Sequence, residues 1–325
     1  MLIVCDKEYN ANGKLVLKEE QEPCPNEEEV LIKIKAFGIN RPDILQKRGL
    51  YPPPANASKI LGLECSGIAE KVGKNVTSIK EGDSVCALTA GGAYAEKVSV
   101  HHWHCFEAPT NLSFAEAASL PESFMTCWTN IFEHGMLERG ESILIHGGNS
   151  GIGCAAIQLS LWAGAAVICS VRTEEKKRFC ESLGCTSVIN TQKEDFVKHI
   201  DKNFPKKMNV IIDMLGGDFT NKNLQCLREY GRLVQIAFLK GRFPRLDLMQ
   251  IMKKKLVITG STLRARSDEE KKRIADLLKK NIWPEIESGK IKPCLYKEYQ
   301  LSQINEAHEF MENSMHMGKI AVNIP

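Results

Sequence analysis

The chain has 325 residues, and single hydrophobic cores stop growing at about 250–300 residues, so two domains are expected. Hydrophobic residues make up 43% and charged residues 26%, which excludes a disordered or collagen-like chain. With 43 Lys plus Arg against 40 Asp plus Glu, the net charge of +3 is too weak for a nucleic-acid partner to be expected.

The N-terminal MLIVCDKEYN lacks the basic start and apolar stretch of a signal peptide and reads as a first strand. Twelve cysteines with no Cys-x-x-Cys pair fit reduced thiols in a reducing compartment, so a cytoplasmic protein is expected. Up to residue 120, short apolar or alternating runs (LIVC, KLVLKE, EVLIKIKAFGI, SGIAEKV, DSVCALT, AYAEKVSV) are separated by Gly, Pro and Asp turns, which predicts a β-rich domain. Residues 41–58 interrupt that pattern, and Pro52, Pro53 and Pro54 predict an extended, ordered loop. HHWHC at 101–105 reads as a surface loop rather than a metal site, because adjacent ligands on an extended chain point to opposite faces.

From residue 113 the period changes. Ser113 and Glu116 form a capping box that predicts a helix. Strands and helices then alternate: ESILIHG, a helix in IGCAAIQLSLWAG, AAVICSV, a helix in TEEKKRFCESLG, TSVIN and MNVIIDMLGG. They continue with a helix in DFTNKNLQCLREYG, GRLVQIAFL, a helix in LDLMQIMKKK, and KLVITGSTL. Apolar strands alternating with helices predict a parallel, doubly wound sheet. The uncharged run from Gly147 to Val171 is broken by glycines and polar residues, so no membrane span is expected. After a helix in SDEEKKRIADLLKKNIW, the late strands CLYKEYQL and KIAVNIP suit the first domain better than the parallel sheet. The expected division is 1–120 with 266–325, and 121–265.

Within ILIHGGNSGIGCAAIQL, Gly148, Asn149, Ser150, Gly151, Ile152 and Gly153 form a glycine turn between a strand and a helix. Gly148 is expected to make the tight turn, Gly151 to admit a pyrophosphate at the helix N-terminus, and Gly153 to allow close helix packing. The next strand ends in Ser170, Val171, Arg172 and Thr173, with no acid to bind ribose hydroxyls. Thr173 is a good N-cap and Glu174 and Glu175 read as first-turn residues. Arg172, Thr173 and Lys176 are then placed to hold a 2′-phosphate, favouring NADPH over NADH. Asp213 reads as a strand-end polar residue. A short-chain dehydrogenase is excluded, since none of the six tyrosines is followed four residues later by lysine.

GLECSGIAEKVGKNV, residues 62–76, fits the zinc-type alcohol dehydrogenase signature at Gly62, Glu64, Gly67, Gly73 and Val76, with Leu63 at the histidine-ligand position. The position of the first cysteine ligand is Asn40, and Asn with Leu cannot assemble a tetrahedral zinc site. Together with INRPDILQKRGLYPPP, LPESFMTCWTNIF, HGGNSGIG, VQIAFLKG, TGSTLRARS and MGKIAVNIP, the chain resembles the zinc-free, zeta-crystallin-like quinone oxidoreductases of the medium-chain dehydrogenase/reductase superfamily. The resemblance implies a doubly wound parallel Rossmann sheet inserted into a β-rich GroES-like catalytic domain, and a homodimer. It also implies cofactor contacts at Asn40, Thr126, Thr191, Ala237, Phe238, Leu263, Arg264 and Lys319; the family often carries Gly at position 172 and Tyr at 191. The expected activity is NADPH-dependent, zinc-independent hydride transfer to a quinone or other electrophilic acceptor. Tyr51 and Asn40 are the candidate catalytic residues. A hydroquinone oxyanion, phenolate-like with a pKa of about 10, needs less stabilisation than an alkoxide. Reduction of an enal or enone double bond is the enzymatic alternative, and an NADPH-binding regulatory or RNA-binding protein the alternative from another class.

Overall fold

The computed structural model describes residues 1–6 and 13–325. It divides into two compact units, residues 1–125 with 263–325, and residues 126–262. The chain opens with β1 (Leu2–Asp6), β2 (Leu15–Glu19), β3 (Glu29–Ile39), α1 (Arg41–Lys47), β4 (Glu64–Val72), β5 (Ser84–Leu88), β6 (Lys97–His101), β7 (Cys105–Glu107), α2 (Phe114–Ala117) and α3 (Pro121–Trp128). Then come β8 (Ser142–His146), α4 (Gly151–Trp162), β9 (Ala166–Val171), α5 (Glu174–Ser182), β10 (Ser187–Asn190), α6 (Phe196–Asn203), β11 (Met208–Asp213), α7 (Asp218–Cys226), β12 (Leu227–Gln235), α8 (Leu248–Lys254) and β13 (Val257–Gly260). The last part holds α9 (Asp268–Asn281), α10 (Trp283–Glu287), β14 (Leu295–Gln300), α11 (Ile304–Glu312) and β15 (Lys319–Asn323).

In the first unit a seven-stranded sheet runs β14-β15-β3-β4-β5-β7, with β6 also paired to β3. The C-terminal strand β15 joins β3 antiparallel, with Ile320 opposite Ile39. Alternate residues of β3 (Val30, Ile32, Ile34) enter a core with Phe37, Tyr94 and Val322, as a half-buried strand requires. In the second unit six parallel strands run β10-β9-β8-β11-β12-β13, the doubly wound sheet that the alternation predicts. Leu144, Ile168, Ile211 and Leu233 form its centre. Among the described residues, no helix is long and apolar enough to cross a membrane.

Four local expectations change. Residues 41–47 form α1 rather than extended loop, because Pro42 falls in the first helical turn and the Asp43 carboxylate accepts the Asn40 N–H at 2.8 Å. A helix the sequence pattern did not signal, α6, is capped by Asp195, whose Oδ1 accepts from the Val197 and Lys198 N–H groups. Strand β12 starts at Leu227, inside the stretch expected to be helical, and Tyr230 (φ 59°) takes the left-handed conformation within it. His102–His104 is a turn of 3₁₀ helix whose His104 is buried, not a surface loop.

Candidate functional site

In the second unit the glycine turn follows β8. The left-handed residue is Gly147 (φ 70°), not Gly148. The N–H groups of Gly147 and Gly148 both donate to the Ser170 carbonyl, at 2.9 and 3.2 Å, which folds the turn over the end of β9. Gly148 lacks a Cβ for a packing reason: one there would lie 2.6 Å from Cys169 Sγ. At Gly153 a Cβ would lie 2.3 Å from the Gly147 carbonyl oxygen, so this glycine lets α4 close onto the turn as its motif position implies. Ser150 caps α4: its hydroxyl accepts the Gly153 N–H at 3.0 Å and donates to the Gly147 carbonyl at 2.8 Å.

Beneath the turn lies a buried network that sequence reasoning did not find. Asn223 Nδ2 donates to Asp213 Oδ2 at 3.0 Å, so its amide oxygen faces His146 Nε2 at 2.7 Å. His146 therefore carries its proton on Nε2, and Nδ1 accepts from the Ser170 hydroxyl at 2.7 Å. Burial lowers the His146 pKa, keeping the ring neutral. Asp213 Oδ1 accepts the Leu215 and Gly216 N–H groups, so this residue is a strand-end polar anchor. The only sequence signal was a set of polar residues in apolar strands.

At the end of β9, Thr173 caps α5 by accepting the Lys176 N–H at 3.3 Å, and Glu174 and Glu175 occupy its first turn, as expected. Glu174 is engaged by residues beyond its own helix. Its Oε1 accepts from Asn190 Nδ2 at 2.6 Å and pairs with Lys193 at 3.2 Å. Lys176 is buried, and its pKa is lowered first by burial and then by the Arg172 charge. Arg172 is exposed, and the Thr191 hydroxyl donates to the Val171 carbonyl at 3.1 Å. Elsewhere in this unit the Thr126 carbonyl accepts from Asn130 Nδ2 at 2.8 Å, and the Ala237 carbonyl from Gln235 Nε2. Phe238 is 59% exposed after β12 and is no core residue.

In the first unit Asn40, Glu64 and Lys319 form one buried cluster. Lys319 Nζ donates to Asn40 Oδ1 at 2.6 Å, Glu64 Oε1 at 2.5 Å and the Ile39 carbonyl at 3.3 Å. Its three N–H groups thus all have protein acceptors, and a cofactor contact would have to share them. Asn40 Nδ2 donates to Glu64 Oε1 at 2.9 Å, and Glu64 Oε2 accepts the Glu122 N–H at 2.9 Å. Leu63, the neighbour of Glu64, lies in the core. Among the described residues, no group of three or more His, Cys, Asp or Glu side chains is arranged to hold a metal ion.

Arg264, an implied cofactor contact, is buried next to buried Leu263. Its Nε donates to the Ala90 carbonyl and Nη2 to Gln46 Oε1, both at 2.8 Å, while Nη1 is buried with no hydrogen-bond partner. The guanidinium lies 5.6 Å from the centre of the Tyr51 ring, within cation–π range. Burial, then the Glu122 charge, raises the Tyr51 pKa, so the half-buried phenol stays protonated at neutral pH. In the second unit, a strand–glycine turn–capped helix and adjacent cations at the end of the second strand suit a phosphate-bearing dinucleotide.

Residues 26–110 match the family "Alcohol dehydrogenase GroES-like domain" and residues 151–280 the family "Zinc-binding dehydrogenase". The chain is 30% identical over 308 residues to the quinone oxidoreductase of Mus musculus, covering 93% of this chain and 91% of that protein. The solved Escherichia coli quinone oxidoreductase complexed with NADPH is 29% identical and covers 99% of both chains with a TM-score of 0.86. The CurK enoyl reductase structure is 25% identical over 100% of this chain and 99% of that one, with a TM-score of 0.86. The chain belongs to the medium-chain dehydrogenase/reductase superfamily, in its quinone oxidoreductase branch. It is an oxidoreductase of that family, whose cofactor is a nicotinamide dinucleotide.

Proposed function

We propose that the protein is an NADPH-dependent quinone oxidoreductase that works without zinc. The observation that carries this reading is what occupies the two zinc-ligand positions. Where metal chemistry would require thiolate and imidazole stand Asn40, its amide held by Glu64 and Lys319, and the core residue Leu63. When bound, the reduced nicotinamide supplies a hydride. Gly148, Asn149, Ser150, Gly151, Ile152 and Gly153 bind the pyrophosphate at the N-terminus of α4. Arg172, Thr173, Lys176 and Thr191 receive the 2′-phosphate, a role supported by Glu174 being occupied with Asn190 and Lys193. Thr126, Ala237, Phe238, Leu263 and Arg264 hold the rest of the cofactor, Arg264 through its unpartnered Nη1. Lys319 positions Asn40, whose second amide N–H is left to orient the ring or the acceptor. Tyr51, protonated, donates to the oxyanion of the reduced quinone, a group whose pKa of about 10 matches that of a phenol.

The exposed apolar residues Leu248, Met249, Met252, Val257 and Ile258 on α8 and the edge strand β13 support a homodimer through this edge. A monomer at micromolar concentration in light scattering rejects that assembly. The deciding experiment is a turnover panel of ortho- and para-quinones, enals and enones with NADPH and with NADH. Quinone turnover that prefers NADPH supports the proposal. Turnover confined to enals or enones favours activated double-bond reduction, a reading the likeness to CurK enoyl reductase supports. No turnover together with salt-sensitive RNA binding points to a nucleotide-binding regulator.

A further inference from the structure

Three thiols meet directly beneath the glycine turn: Cys169 of β9, Cys180 of α5, and Cys185 between α5 and β10. Cys169 and Cys180 are fully buried, whereas Cys185 is partly exposed. The Cys185 and Cys169 sulfurs are 3.7 Å apart. A Cβ on Gly148 would lie 2.6 Å from Cys169 Sγ and 3.3 Å from Cys180 Sγ, so both sulfurs support the backbone of the turn. The cluster sits toward β10, the sheet edge opposite β13, so covering β13 leaves Cys185 accessible.

We propose that Cys185 and Cys169 are a peroxide-responsive thiol pair whose disulfide disables the dinucleotide turn. Its effect on the cofactor rests on the proposed reading of that turn. The Cys185 thiolate attacks one oxygen of hydrogen peroxide, the O–O bond breaks, and the departing hydroxide takes a proton to become water. The product is a Cys185 sulfenic acid. The Cys169 sulfur then attacks the Cys185 sulfur, the S–O bond breaks, and the Cys169 proton leaves with the hydroxyl as a second water. Two thiols lose two electrons and the peroxide gains them. Neighbouring thiols and burial raise the Cys169 pKa, so Cys169 stays a buried thiol and the partly exposed Cys185 is the sulfur that meets peroxide first. A disulfide of about 2.05 Å requires the two sulfurs to close by roughly 1.7 Å. That movement withdraws the support that Cys169 gives Gly148.

The test treats the full-length protein with hydrogen peroxide, blocks remaining thiols, and maps disulfides by mass spectrometry without reduction. NADPH binding is titrated by fluorescence before oxidation, after it, and after dithiothreitol. The expected result is a Cys169–Cys185 linkage and a rise of about tenfold in the NADPH dissociation constant, reversed by the reductant. Cys185→Ser, at a partly exposed position, is expected to fold, form no linkage and keep its affinity through peroxide treatment. Free thiols at both positions after treatment, a Cys169–Cys180 linkage instead, or unchanged affinity in the linked protein overturns the proposal. If the untreated protein binds no nicotinamide dinucleotide, the cofactor reading fails, and the mapped linkage separately decides whether the thiol pair exists.

Discussion

Glu64 and Lys319 in the first unit answer each other inside the protein, whereas Arg172 and Lys176 in the second stand side by side with the same charge. Around Glu64 every charge is closed: Lys319, Asn40 and the Glu122 N–H satisfy the carboxylate without a ligand. At the end of β9, Glu174 is held by Asn190 and Lys193, while Lys176 feels the Arg172 charge and, after it, that of Glu175. The first arrangement contributes shape and stability, and breaking it leaves an orphaned charge. The second sets two like charges side by side, an arrangement that an incoming anion would relieve. Two polar clusters in one chain can therefore respond oppositely to mutation, one through folding and the other through binding.

The largest expected effect tests the closed cluster. Lys319→Met strands the Glu64 carboxylate and should cost about 3–5 kcal/mol in urea unfolding. Glu64→Gln in the same chain should recover much of that loss. A Lys319→Met protein less than about 1 kcal/mol weaker than the parent would show that the pair does not carry the charge balance.

The pair of cations at the end of β9 is tested by Arg172→Ala and Lys176→Ala. Each should weaken NADPH binding by about 1.5–3 kcal/mol, roughly ten- to a hundredfold, with little change for NADH. Urea stability should barely move for Arg172→Ala, which is exposed. If the NADPH and NADH Michaelis constants rise together, or if the parent prefers NADH, these cations do not read the 2′-phosphate.

A third prediction concerns pH in the closed region. The Tyr94 hydroxyl lies 3.2 Å from Asp43 Oδ2 and 3.0 Å from His308 Nε2. Burial raises the Asp43 pKa to about 6 from 3.8 and lowers that of His308 to about 3 from 6.5. His104, lowered by burial to about 3, acts in the same direction as His308. These rings are neutral in the fold, so their contribution is complete above pH 6.5 and is lost as pH falls toward 3. Asp43 acts in reverse: its contribution is complete below pH 3.8 and is lost as pH rises through about 6. It therefore offsets part of the acid loss. Asp43→Asn should steepen the fall in stability between about pH 6 and 4 by one proton, roughly 1.4 kcal/mol per pH unit. Parallel stability–pH curves for parent and variant would refute the assignment.

The smallest effect separates Glu174 from the cations beside it. Glu174→Gln should change NADH affinity by less than about twofold, because its carboxylate is held by Asn190 and Lys193 rather than presented to a ribose. A large loss of NADH affinity would reassign Glu174 as the ribose-binding residue.

Much of this architecture was legible in the residues. The run EVLIKIKAFGI is β3, residues 29–39, and the apolar strands beyond Ser142 form the parallel sheet. Caps written locally, Ser113 with Glu116 and Thr173 with Lys176, form as their spacing implies. The errors arose where a short-range signal competed with packing. Pro52–Pro54 drew residues 41–47 into the loop reading, although Asn40 and Asp43 carried a helix start. LREYG scores as helix, but pairing with β11 draws Leu227 into β12. The His146–Asn223–Asp213 network joins residues from separate elements, and no periodicity encodes it.

The sequence by itself determined the alternation of strands and helices, the glycine turn, and the absence of Cys and His at the zinc-ligand positions. Those features depend on residue type and near neighbours. Tertiary structure alone decided which charges meet which partners. Glu64 and Lys319 are 255 residues apart and meet because β15 pairs with β3, bringing Lys319, beside Ile320, to Asn40, beside Ile39. Asn190, at the end of β10, holds the Glu174 carboxylate. Both outcomes follow from sheet register: main-chain pairing sets which side chains from distant parts of the chain come within reach of one another.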